Sequence, residues 1–387
     1  MGDNILIVHG GGPTAVMNAS LYGTLKEAKK HPQIHKIYAA KNGIGGLLSG
    51  NLIDMSNIPE ENLERLLYTP GSAVGTSREH LEPAEYDEMS ELLKKKNIGY
   101  VLFTGGNGTM DTCGRFYKRC LAQKANINVI GIPKTIDNDI AATDHSPGYG
   151  SAARYIAQSV KEVCADVKGL PIHVVIIEAS GRNAGWITAA SALARDGNGL
   201  GPDLIYLPER PFEEERFIRD VQKLLRTKTG IVVVVSEGLK DKNKVPIVDP
   251  VFEDGRAVYF GDVSSHLANL VIRKLGYKAR GEKPGLLGRA SVLLQSSVDR
   301  EEAQMAGEEA CRAVINGISG KMVAFRRASV NPYEISPFLV DIDKVMLCER
   351  VMPEEYINAE GNGVTEAFTE WCRPLIGGNL TEMVSFN

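Results

Sequence analysis

Apolar positions along this chain fall into two rhythms. Short aliphatic, β-branched runs stand at Ile5–Val8, Tyr100–Phe103, Ile127–Ile132, Val174–Ile177 and Ile231–Val235, each of strand length and continuous enough to be buried on both faces. Between them lie longer stretches with apolar residues at helical spacing, such as 152–166 and 301–315. Strands alternating with helices predict βαβ units and mostly parallel sheets, an α/β fold.

The loops after these strands are more telling than the strands. The five runs lead into Gly10-Gly11-Gly12-Pro13-Thr14, Gly105-Gly106-Asn107-Gly108-Thr109, Pro133-Lys134-Thr135-Ile136-Asp137-Asn138-Asp139, Ser180-Gly181-Arg182 and Ser236-Glu237-Gly238. Open α/β sheets bind ligands at the carboxyl ends of their strands, so these loops are expected to converge on one site.

Length and charge narrow the picture. At 387 residues the chain exceeds what one hydrophobic core usually supports, which predicts two domains or one large unit. A net charge of −4 with both signs interspersed carries no nucleic-acid footprint. The six cysteines show no C-x-x-C pairing, so reduced thiols are expected and zinc is not. No apolar run is long enough to cross a bilayer, and the first residues lack the basic n-region of a signal peptide. A cytoplasmic protein without a membrane partner is expected. The Gly-, Lys- and Arg-rich stretch 276–288 is the best candidate for an exposed connection or a subunit-facing loop.

The candidate chemistry is phosphate chemistry. Gly10–Gly12 and Gly105–Gly108 sit between a strand and a helix start, where backbone N–H groups can reach phosphate oxygens and the helix dipole favours an anion. Either run alone serves equally as plain turn geometry. Asp137 and Asp139 are two apart, so in extended or turn backbone they point the same way and can divide labour between a base and a metal-side carboxylate. An Asx-turn with a helix cap explains Asp-Asn-Asp after a strand just as well. Lys134 and Thr135 tip the balance, because a cation, a hydroxyl and carboxylates together suit phosphoryl transfer, which is mostly positioning and charge neutralisation. Arg182, and less clearly Arg78, could clamp a phosphate bidentately. Arg280 and Arg289 would suit a sugar phosphate, although exposed loop arginines often do nothing specific. His145 and His173 lack metal-site spacing and read as satisfied polar histidines.

In their order along the chain, Gly10–Ala19, Gly75–Arg78, Gly105–Thr109, Pro133–Asp139, Pro147–Ala152 and Gly181–Gly185 resemble the motifs of the phosphofructokinase family. The resemblance implies magnesium-dependent phosphorylation of fructose 6-phosphate at its 1-hydroxyl by two similar three-layer α/β domains facing a central cleft. It implies a donor-binding domain of residues 1–147 plus roughly 289–335, and a sugar-phosphate domain of 148–288 plus the C-terminal segment. Asp137 then resembles the base, Thr135 a contact to the transferred group, and Arg78 and Arg182 the groups that bind donor phosphates and stabilise the transition state. Gly11, Gly12, Gly106, Asn107, Gly108, Thr109 and Lys134 fall on the donor side, with Asp139 and Asn107 near the metal. Ser180, Gly181, Glu237, Arg280 and Arg289 fall on the sugar phosphate, beside Thr135, Asp137 and Arg182. One such arginine comes from a neighbouring subunit in the family, which implies a homo-oligomer, a dimer or a tetramer.

Some positions depart from the family pattern. Asn107 stands where many members carry Asp, Ser180 where Met is usual, and His173 where bacterial ATP enzymes carry Arg. The donor hangs on two residues. Pyrophosphate-using members have Asp at the position of Gly108, filling the space of an α-phosphate, whereas Lys134 matches those same members. Since a missing side chain leaves room for a nucleotide, the resemblance implies ATP, with pyrophosphate as the alternative.

Overall fold

The computed structural model describes residues 3–170, 172–196, 199–254 and 257–386. Its strands, in chain order, are β1 (Asn4–His9), β2 (Lys36–Ala40), β3 (Leu52–Asp54), β4 (Ile98–Gly105), β5 (Asn128–Pro133), β6 (Val174–Ala179), β7 (Leu204–Tyr206), β8 (Ile231–Ser236), β9 (Pro250–Asp254), β10 (Ala257–Phe260), β11 (Ala279–Glu282), β12 (Lys321–Ser329) and β13 (Glu334–Asp341). The chain divides into two compact units, one of residues 3–151 and 289–350 and one of 152–288 and 351–386.

The first unit is built on a seven-stranded sheet in the order β13-β12-β5-β4-β1-β2-β3. Its middle is parallel, while β3 and β13 pair antiparallel at the two edges. Alternation along β1 explains why both faces are covered: Leu6 and Val8 enter one core with Met89, Leu93 and Phe116, and Ile5 and Ile7 enter another with Leu21, Leu25 and Ala310. Helices Pro83–Lys95 and Asn107–Ala122 therefore lie on one face, and Met17–Ala28 and Ser297–Ile315 on the other. The last two approach so closely that a Cβ on Gly307, midway along helix Ser297–Ile315, would stand 2.0 Å from the Ser20 carbonyl oxygen.

The second unit carries a parallel four-stranded sheet in the order β11-β6-β8-β7 and a separate β9-β10 hairpin. Helices Glu214–Leu224 and Val263–Leu275 cover one face through Phe217, Val221, Leu267 and Val271. The stretch 276–288, expected as an exposed connection, contains β11. That strand pairs with β6 from Ala279 to Glu282, so backbone hydrogen bonds recruit a segment whose glycines and charges read as loop.

Candidate active site

Three of the five polar strand ends share one sheet edge. Since β5, β4 and β1 are neighbours in the first unit and run parallel, their following loops emerge side by side. Backbone bonds stitch these loops together: Gly10 N donates to Thr104 O at 2.9 Å, Gly11 N to Ser77 O at 2.8 Å and Lys134 N to Gly105 O at 3.0 Å. Thr109, in the first turn of helix Asn107–Ala122, packs between Gly10 and Gly105, where an added Cβ would come within 2.3 Å and 2.2 Å of its hydroxyl. Gly106 caps that helix and Gly108 is exposed in its first turn.

Positive charge gathers at this edge. A Cβ built on Gly12 would lie 3.0 Å from both Arg78 Nη2 and Arg289 Nη1. Lys134 is buried and donates from Nζ to the Gly12 carbonyl. Burial pulls the Lys134 ammonium down to about 8; Asp137 and Asp139 oppose that fall, and Arg78 and Arg289 add to it. His9, buried beneath the same loop, is brought down to about 3 by burial and then by Lys134, so it is neutral and hydrogen-bonds Ser72 Oγ through Nδ1 at 2.8 Å. A loop that gathers three cations, backbone N–H groups and a helix N-terminus is suited to a polyanion.

The segment after β5 is shaped by its own polar side chains. Thr135 Oγ1 donates to Asp139 Oδ1 at 3.0 Å and accepts from Asp137 N at 3.0 Å, and Asn138 sits in the left-handed region with φ 53°. Asn107 Nδ2 donates to Asp139 Oδ2 at 2.9 Å. Burial raises the Asp139 carboxyl, and Glu349 adds to the rise, while the Thr135 and Asn107 hydrogen bonds work the other way. Asp137 is half-buried on this loop. The turn geometry and the chemical cluster are thus the same object.

Among the described residues no three His, Cys, Asp or Glu side chains group as a metal cage. What the loop offers a hard cation is the Asp139 carboxylate, with the Asn107 Oδ1 atom buried and lacking a hydrogen-bond partner. Mg2+ in phosphoryl-transfer sites keeps several waters and takes one or two carboxylates plus substrate phosphates. A single acidic ligand fits that mode.

The other two loops belong to the second unit, at the ends of neighbouring β6 and β8. Gly181 N donates to Glu237 Oε1 at 3.0 Å, and Glu237 N donates to Ala179 O at 3.0 Å. A Cβ on Gly238 would meet the Arg182 carbonyl at 1.8 Å, so Ser180–Arg182 and Ser236–Gly238 form one packed turn pair. Ser180 is exposed. Behind Arg182, Glu209 accepts from Gly185 N at 2.8 Å and from Met352 N at 3.2 Å, an anchor with no sequence motif. Arg280 lies on β11 and pairs with Glu282 at 2.5 Å. Arg280 and Arg289, grouped in the sequence on the sugar phosphate, therefore occupy different units, and Arg289 stands with Arg78 at the glycine loop. His173 is half-buried against Tyr277, with ring centroids 5.1 Å apart.

Comparison with known proteins bears on what this arrangement is. The family model described as Phosphofructokinase matches residues 4–314. The chain belongs to the phosphofructokinase family. Within it, the chain is 36% identical to a pyrophosphate–fructose 6-phosphate 1-phosphotransferase of Rhodospirillum rubrum, over 98% of this chain and 95% of the relative. It is 34% identical to a sulfofructose kinase of Alkalicoccus urumqiensis, over 96% and 95%. A crystal structure of a pyrophosphate-dependent phosphofructokinase from Nitrosospira multiformis superposes with a TM-score of 0.90 at 33% identity, covering 99% of this chain and 94% of that one. As a phosphofructokinase-family member the protein is a phosphotransferase acting on an alcohol group. On the donor, these relatives weigh for pyrophosphate, against the ATP that the missing side chain at Gly108 suggested.

Proposed function

We propose that the protein transfers a phosphoryl group from pyrophosphate to the 1-hydroxyl of fructose 6-phosphate, giving fructose 1,6-bisphosphate and inorganic phosphate. The observation that carries the donor assignment is the buried Lys134 ammonium, fixed on the Gly12 carbonyl at the position where the resemblance implies a pyrophosphate enzyme. A compact polyanion suits that point charge and the Arg78 and Arg289 guanidinium groups crowding Gly12, and needs no nucleoside pocket.

In this reading Asp137 takes the proton of the sugar hydroxyl, whose oxygen attacks the terminal phosphorus as the bridging P–O bond breaks and phosphate leaves. Thr135 contacts the transferred group and also holds Asp137 N. Gly11, Gly12, Gly106, Asn107, Gly108 and Thr109 line the donor side. Arg182 offsets charge on the transferred group, and Ser180, Gly181, Glu237 and Arg280 serve the sugar phosphate. Asp139, beside Asn107, would hold Mg2+, which supplies neutralisation of the donor's phosphate charge when bound.

One observation favours a second reading. Gly108, exposed and without a side chain in the first turn of its helix, leaves space that a nucleotide's α-phosphate would need, so ATP is the alternative donor. Initial rates with each donor, Mg2+ and either fructose 6-phosphate or sulfofructose separate these cases. Turnover with pyrophosphate and fructose 6-phosphate is expected. Turnover with ATP alone would move the donor, turnover with sulfofructose alone would move the acceptor, and none at all would overturn the assignment.

A further inference from the structure

We infer that Asp299 is a positioning residue for the Thr135–Asp139 loop, an inference that rests on the phosphotransferase role proposed for that loop. After β5 the chain leaves the sheet, and the sheet's last hold on it is the Lys134 N to Gly105 O bond. Beyond that point the segment 146–151 holds the loop at Thr135 and Asn138, while Asn107 Nδ2 and Arg350 N hold its end at Asp139. Thr135 N donates to Pro147 O at 3.1 Å, and the Asn138 carboxamide oxygen accepts from Ser146 N at 3.1 Å. The segment 146–151 is in turn held by one carboxylate. Asp299 Oδ1 accepts from Gly148 N at 2.8 Å, and Oδ2 accepts from Ser151 N at 2.9 Å and Ser151 Oγ at 2.5 Å. Asp299 is itself fixed, because its N–H donates to the capping Ser296 Oγ at 3.2 Å in the first turn of helix Ser297–Ile315.

Gly148 is where the tie becomes stiff. Its φ is +107°, and an added Cβ would stand 2.7 Å from the Thr14 methyl and 3.0 Å from the Thr135 carbonyl oxygen, so it is wedged between the first glycine loop and the proposed catalytic threonine. A glycine is needed at such a φ, and a displacement of Gly148 is passed to Thr135 rather than absorbed. The Gly148 bond to this buried carboxylate thereby sets where Thr135 and Asp137 stand. Misplacing reacting groups by about an ångström can cost on the order of a hundredfold in rate.

The variant Asp299→Asn keeps the volume but must turn its NH2 toward either Gly148 N–H or Ser151 N–H, so one of these two backbone donors loses its acceptor, while the Ser151 hydroxyl can reverse and accept. Ser151→Ala removes the hydroxyl that donates to Asp299 and accepts from Ser296 N at 3.1 Å, leaves the Gly148 N and Ser151 N bonds intact, and serves as the control for general loosening. Two readouts are taken on the full-length protein. Hydrogen exchange without substrates is expected to speed up at the amides of 135–139 in Asp299→Asn and to stay unchanged there in Ser151→Ala, with β1 and β4 protected in both. In the activity assay, kcat of Asp299→Asn is expected to fall about tenfold or more with KM for the sugar within about threefold, while Ser151→Ala keeps kcat. Unchanged exchange at 135–139 in Asp299→Asn, or equal kcat losses in both variants tracking their melting temperatures, would overturn the inference. A wild type inactive with both donors would sink the functional assignment instead, and the exchange result would still decide the anchoring.

Discussion

Asp137 was readable in the sequence only as one of two carboxylates after a strand, and nothing local separated a base from a capping residue. In the structure Thr135 Oγ1 accepts from Asp137 N and donates to Asp139, so the turn that caps is also what sets the two carboxylates apart. The division of labour predicts that Asp137→Ala retains sugar-phosphate binding by calorimetry and loses about two to four orders of magnitude in kcat. A rate near wild type would remove Asp137 from the mechanism. Lys134 gives a pH prediction. With its ammonium brought down to about 8 mainly by burial, the group is charged below that pH and loses its proton above it, and a phosphate donor needs the cation. KM for the donor is therefore expected to rise as pH increases through about 8, measured at constant ionic strength, and a flat profile in wild type would show that Lys134 does not contact the donor. Lys134's neighbours were not legible in the sequence, because the approach of Arg289 to Gly12 joins positions 277 residues apart, the difference of the two numbers.

Strands β1, β4, β5, β6 and β8 were legible because each is buried on both faces and so reads as an unbroken apolar run. The edges were not. Strands β2 and β3 are short, β11 is Ala-Arg-Gly-Glu, and the β12-β13 hairpin mixes Arg326, Arg327 and Glu334 with apolar positions; at an edge the neighbours decide strand formation more than intrinsic preference does. That hairpin carries a buried network the sequence showed only as a polar histidine. His145 Nδ1 bonds Asp144 at 2.8 Å and Nε2 bonds Glu302 at 2.5 Å, while Arg327 on β12 reaches Asp144 at 2.7 Å and Tyr333 donates to Glu302 at 2.6 Å. Burial opposes a charge on His145, but Glu302 and Asp144 outweigh it and hold the imidazolium up to about 9. Because the folded value lies above the ordinary 6.5, the stabilisation is fully present below about pH 6.5 and is lost as pH rises through 9. His145→Gln is expected to cost about 3 kcal/mol near pH 6, and the gap in denaturation midpoint between variant and wild type should close toward pH 9.5. A gap that stays constant with pH would mean the histidine is neutral.

For the whole molecule, length pointed to two domains or one large unit, and the described residues divide into two units. The family was legible because its motifs are loop segments at strand ends, where backbone geometry demands particular residues. The donor was harder, since it turns on the balance between one absent side chain, at Gly108, and one buried cation, at Lys134, and that balance depends on burial and neighbours the sequence does not display. If Lys134 dominates, Gly108→Asp is expected to leave pyrophosphate use within about threefold while suppressing any residual ATP use, because the carboxylate fills nucleotide space without touching a two-phosphate donor. The most direct test of the central claim is a competition: wild-type enzyme, fructose 6-phosphate and Mg2+ with equal concentrations of pyrophosphate and ATP, followed by phosphorus NMR. The account predicts that the pyrophosphate signal decays as fructose 1,6-bisphosphate and inorganic phosphate grow in, with the ATP signals unchanged; decay of the ATP γ-phosphate with pyrophosphate untouched would contradict it.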